Sequence, residues 1–197
     1  MSVNFNLAKN AKRLSCLILC TILLCFSFSM NASAEGSNTY GNYASFNELY
    51  DAYIQAVNSG DTQAQAELLA IAQDTLDEEI ANSNTLPTLE RVDPDWQYYN
   101  SLFPTYFSSG YWETRADGLC LTLNPINAPQ WSSQAKDLAW NATYARFGYN
   151  GGSNWPNNKT AIMREQFYCH ARLVYSSIET VWNLEPWRTS MNPITCN

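Results

Sequence analysis

Histidine is almost absent from this chain: 197 residues contain one, His170. Any Ser-His-Asp triad would therefore have to run through His170. Basic residues are scarce too, with 11 Lys and Arg against 18 Asp and Glu and a net charge of −7. Phosphate neutralisation needs Lys and Arg, so this balance argues against a nucleic-acid partner. There is no P-loop, dinucleotide fingerprint, H-E-x-x-H or G-x-S-x-G element, which removes the common sequence signatures of nucleotide, zinc-protease and esterase chemistry. No internal repeat is visible.

The first residues read as an export signal. Lys9, Lys12 and Arg13 form a positive region, Leu14 to Met30 is almost unbroken apolar sequence, and Ala32-Ser33-Ala34 supplies small residues for cleavage. The apolar run is short for a membrane span, so residues 1–34 are read as a signal peptide that leaves no transmembrane anchor. Leu19 and Leu24 precede Cys20 and Cys25 where a lipoprotein would carry a small residue. Cleavage leaves 163 residues and three cysteines, Cys120, Cys169 and Cys196. The expected location is outside the cell.

Charge divides the remainder. Residues 35–107 carry twelve acids against Arg91 alone, whereas seven bases face six acids from residue 108 onward. Phe46, Leu49, Tyr50, Tyr53, Ile54 and Val57 form one helical stripe, which Gly60 stops. Asp61 is a candidate N-cap for a second helix bearing Ala64, Leu68, Ala72, Leu76 and Ile80. Two short helices bury little by themselves, so they are expected to pack on the second half or on something else. The run "DTLDEE" reads as a solvated face. Residues 35–95 thus form an acidic helical hairpin and a linker bracketed by Pro87 and Pro94.

Residues 96–197 read as a compact α+β domain. Ala116-Asp117-Gly118 marks a β-hairpin turn between two β-favouring runs. A helix with Ser132 or Ser133 as N-cap follows and ends at Gly148, and another runs from Lys159 to about Val174. The tail, with Pro186 and Pro193, reads as mostly irregular. On the 159–174 helix, His170 shares the apolar face with Met163 and Phe167, and Gln166 lies four residues before it. Cys169 points about 100° away, and neighbours on a helix do not face each other. A local Cys169–His170 dyad is therefore geometrically poor.

Export favours a disulfide. A bridge from Cys169 to the penultimate Cys196 would tie down the tail, with pairing through Cys120 also open on the residues alone. Three cysteines and a histidine match a zinc inventory, but no C-x2-C element occurs and export favours oxidation, so no metal and no cofactor is expected. The carboxylates Glu113, Asp117, Asp137, Glu165, Glu179 and Glu185 could include a glycan-hydrolysing pair, or be ordinary surface charge. Trp112, Trp140 and Trp182 are expected in the core. Trp155, in the polar loop "GGSNWPNN", is the expected exposed contact, with Trp187 a second possible binding residue.

"REQFYCHARLVY", "TVWNLEPWR" and the closing "TCN" resemble the secreted bacterial family known as domain of unknown function 2599, and "WETRADGLCLTLNP" resembles its opening hairpin. The resemblance covers roughly residues 108–197. Gln166, Cys169, His170, Trp182, Asn183, Glu185, Arg188 and Cys196 match the family pattern. The family usually carries no cysteine at the position of Cys120, which implies that Cys120 stands outside the bridge. The resemblance implies no activity. The leading expectation is a binding module for an extracellular or cell-surface partner. The alternatives are a hydrolase using His170 with Glu185 or Glu165 and Arg188 as anion stabiliser, or a toxin or effector inhibited by its acidic segment.

Overall fold

The computed structural model describes residues 40–83, 95–128, 131–149, 154–172 and 180–197. The segment read as a signal peptide, the linker between Pro87 and Pro94, part of the loop before Trp155, and Glu179 lie outside the described residues. Among those described, helices combine with a three-stranded antiparallel sheet of order β1-β2-β3. This is the α+β class expected.

Helix α1 (Phe46–Ser59) begins where Ser45 Oγ accepts from the Glu48 amide, while the Glu48 carboxylate accepts from the Ala44 amide. Two orphan donors are thereby satisfied in the manner of a capping box. Gly60, at φ 72°, closes the helix in the left-handed region. Asp61 caps α2 (Thr62–Asn82) by accepting from the Ala64 amide. The buried stripe is Phe46, Leu49, Tyr53 and Ala56. Val57, expected in it, is 44% exposed, and Ala56 is buried in its place.

Helix α3 (Trp96–Tyr106) was not expected, since Pro104 lies within it. Pro104 falls in the last turn, where it ends the helix rather than breaking its middle. The chain enters β1 (Phe107–Arg115) directly, turns at Ala116-Asp117, and returns as β2 (Gly118–Pro125). Helix α4 (Ser133–Thr143) is capped by Ser132 and continues into a π-helical turn, Tyr144–Tyr149, that contains Gly148. Helix α5 (Thr160–Arg172) is buried on nearly every side from Gln166 onward. Among the described residues the second half therefore holds three α-helices instead of two. Part of the tail is also regular, as β3 (Trp182–Leu184), paired to β2.

One apolar core spans the described chain. Leu49 and Leu76 of the hairpin, Leu121 and Leu123 of β2, Phe167 of α5 and Trp182 of β3 are all fully buried. Phe167 is the aromatic centre, with ring centroids 5.4 Å from Trp140, 5.5 Å from Trp182 and 6.3 Å from Phe107. Edge-to-face contacts of this kind add to burial. The hairpin thus packs on the second half.

The tail is held covalently and by hydrogen bonds. Cys169 and Cys196 form the expected disulfide, and Cys120 is free and buried. Asn192 Oδ1 accepts from the Ile194 and Thr195 amides, and its Nδ2 donates to Tyr53 Oη of α1 at 3.0 Å. With the bridged cysteines 27 positions apart in sequence, chain entropy assigns the bridge about 3–4 kcal/mol. The Cys169→Ser/Cys196→Ser variant should lose about this much in urea unfolding. An unchanged midpoint would remove the bridge from the stability account.

Candidate functional site

The central strand β2 separates two chemically different faces. Leu121, Leu123 and their partners Trp182 and Leu184 face the core. Cross-strand pairs share a face, so the opposite face carries Tyr111, Glu113 and Arg115 from β1, Cys120 and Thr122 from β2, and Asn183 from β3. Glu113 Oε1 accepts from Thr122 Oγ1 at 2.6 Å and from Arg115 Nε at 2.8 Å. The Thr122 bond, then that from Arg115, holds the Glu113 carboxyl below the usual carboxylate range. Asn183 Oδ1 lies 3.4 Å from the Thr122 hydroxyl and 3.7 Å from Cys120 Sγ. Burial pushes the Cys120 thiol up, so it is protonated and a poor nucleophile near neutral pH.

Trp187 and Arg188 complete this face. The indole lies against Gly118, where an added Cβ would come within 2.5 Å of Trp187 Cδ1. Arg188 lies 4.8 Å above the indole and pairs with Glu185. Glu185 is itself buried, and its backbone is clamped by Gln166: the Gln166 amide donates to Glu185 O and its Oε1 accepts from Glu185 N. A glutamine in α5 thereby fixes the position from which the Trp187-Arg188 pair projects. Trp187 is 39% exposed and Tyr111 49%.

The other sequence candidates lie elsewhere. His170 is 3% exposed, and its ring stacks on Trp182 at 5.9 Å with 12° between planes. Glu165 lies on α5, where burial and then the charge of Asp77 raise its pKa. Trp155 corrects the expectation of an exposed contact: it is 3% exposed, packs on Trp140 and Tyr144, and donates to Thr160 Oγ1 at 3.1 Å. A polar loop sequence does not keep an indole in water when an aromatic pocket and an acceptor lie within reach.

A second polar region was not legible as a site. A cleft of about 140 Å³ opens between the end of α2, the start of α4 and α5, lined by Glu79, Asn82, Ser83, Ser133, Gln134, Asp137 and Tyr168. His170, Glu185 and Arg188 do not line it. Tyr168 Oη donates to Asp137 Oδ1 at 2.6 Å, and burial with that bond raises the phenol pKa far above its ordinary value. Glu79, inside the run expected to be solvated, has a side chain only 7% exposed and accepts from Lys136 Nζ at 2.6 Å and Arg172 Nε at 2.8 Å. One available signal was the spacing Asp137, Trp140, Asn141, Tyr144, which places Asp137 on a helical stripe that turns inward. Among the described residues no His, Cys, Asp and Glu cluster could hold a metal, and no helix is long and apolar enough to cross a membrane.

Gly118, at φ 147°, supports the Trp187 position directly. Gly118→Ala should cost about 1–3 kcal/mol in urea unfolding. The cost should shrink in a Trp187→Ala background, where the steric part is gone. Equal costs in both backgrounds would show that the indole does not rest on Gly118.

Residues 107–196 match the family model described as protein of unknown function (DUF2599). No curated protein and no solved structure matches the chain. The stretch so matched contains the polar sheet face, the Gln166–Glu185 clamp and the Cys169–Cys196 bridge. Over residues 107–196, just under half of its length, the chain is similar to the DUF2599 family that the sequence resemblance pointed to.

Proposed function

We propose that the protein is exported by a bacterium and acts outside the cell as a binding module, using the outer face of its sheet. The observation that carries this reading is the exposed Trp187, held on Gly118 beneath Arg188 and sharing its face with exposed Tyr111 and with Arg115. Trp, Tyr and Arg are the residues that most often dominate binding energy at protein surfaces. A preformed indole also loses little freedom when a partner covers it. Polar bonds among Glu113, Thr122 and Asn183 hold the strand residues beneath. The export signal and the disulfide support an extracellular setting.

The hydrolase reading is the weaker one. It asks His170 to serve as an accessible base, yet the imidazole is buried on Trp182 and the Glu185 carboxylate is paired with Arg188. Inhibition by a removable acidic segment also fares poorly, because Leu49, Leu76 and Glu79 of that segment are built into the interior.

Protein recovered from the culture medium of the producing bacterium should begin at Glu35. Fluorescently labelled mature protein should bind intact cells of that bacterium, and Trp187→Ala with Tyr111→Ala should weaken binding by at least about tenfold. Retention of residues 1–34 in a cytosolic protein, or undiminished binding by the double variant, would contradict the proposal.

A further inference from the structure

The cleft beside Glu79 has a chemistry of its own, apart from the Trp187 face. Its walls come from two sources. Asn82 and Ser83 end the hairpin outside the DUF2599 match, while Ser133, Gln134 and Asp137 lie within it. Its volume of about 140 Å³ is close to the roughly 150 Å³ of a closed cavity that holds a benzene ring, and its open side leaves room for the substituents of a ring. Asn82, Ser133 and Gln134 are solvent-exposed, so they can meet a ligand without first giving up buried bonds.

Charge narrows the ligand class. Both carboxylates at the wall are already engaged, Glu79 by Lys136 and Arg172 and Asp137 by the Tyr168 hydroxyl. A cation entering here would meet Lys136 and Arg172 behind Glu79, and an anion would meet Glu79 and Asp137 themselves. Arg164, which donates to Ser83 and lies 5.8 Å from the Tyr168 ring, stands at the same wall, so charges of both signs surround the cleft and a charged ligand loses to repulsion and desolvation what it gains by attraction. Neutral hydroxyls do better. A carboxylate oxygen can accept more than one hydrogen bond, the exposed amides of Asn82 and Gln134 offer both donor and acceptor, and the exposed Ser133 hydroxyl rotates to suit. Hydroxyl groups spaced around a ring can use these three kinds of partner together.

We infer that this cleft binds a neutral, polyhydroxylated ring, the size of one sugar residue, between the end of the acidic hairpin and the start of α4. The hairpin then contributes ligand specificity to the DUF2599 domain through Asn82. The cleft is open to solvent, which leaves room for the sugar to extend outward as part of a longer glycan.

The test is protein-observed NMR of the mature chain titrated to about 50 mM, a range suited to millimolar affinities. The neutral probes are D-glucose, D-galactose and N-acetyl-D-glucosamine; the charged ones are glucosamine and glucose 6-phosphate. At least one neutral probe should give saturable shifts, with both charged probes weaker. Asn82→Ala/Gln134→Ala, at two exposed positions, should weaken that binding about tenfold while leaving the thermal midpoint in place. No saturation by any neutral probe, preference for a charged probe, or unchanged binding by the double variant would each overturn the inference. Should the double variant unfold, Gln134→Ala alone decides by the same criterion.

Discussion

The Glu79 carboxylate is the point on which the two halves of this protein depend. Each of its oxygens meets one cation of the second half, Lys136 at 2.6 Å and Arg172 at 2.8 Å. Arg172, 1% exposed, also donates to the Ala72 carbonyl of α2 at 3.1 Å. Burying one such charge without a partner is costly, so removing any member should cost more than the net contribution of the pairs. The uneven charge along the sequence acquires a structural meaning here. The acidic half and the more basic half meet through this buried junction, with the apolar packing of Leu76 and Ala72 around it.

Helix α5 links that junction to the sheet. Its C-terminal turn supplies Arg172 to the hairpin, Cys169 to the disulfide and His170 to the Trp182 stack. One turn earlier, Gln166 clamps Glu185, which positions the Trp187-Arg188 pair on the outer face. The two candidate surfaces therefore share one rigid support. The cysteine and histidine are structural parts of it, the first as a covalent tie and the second as a stacked core ring.

Local signals in the sequence were read well where short-range chemistry decides the outcome. The stop at Gly60, the cap at Asp61, a cap within the Ser132-Ser133 pair and the Asp-Gly hairpin all follow from neighbours along the chain. The family resemblance correctly left Cys120 outside the bridge. What escaped depends on long-range placement. Nothing near Glu79 distinguishes it from Glu78; only the approach of Lys136 and Arg172 from far along the chain does. Helix α3 hid behind Pro104, harmless because it falls in the last turn. Trp155 looked solvent-bound because its neighbours are polar, while its true partners, Trp140, Tyr144 and Thr160, lie in adjoining segments. The polar sheet face required the register, and the turn at Ala116-Asp117 sets which residues stand beside Glu113.

The central claim is that the hairpin and the DUF2599 domain fold as one body through Glu79. Six of the seven tryptophans lie beyond residue 108, so tryptophan fluorescence reports the second half, and hydrogen exchange at α1 and α2 amides reports the hairpin. Urea unfolding of Glu79→Gln, followed by both signals, tests the claim most directly. The account predicts one transition in both, shifted together by about 3 kcal/mol or more. A hairpin that opens at lower urea while the fluorescence transition stays in place would contradict it.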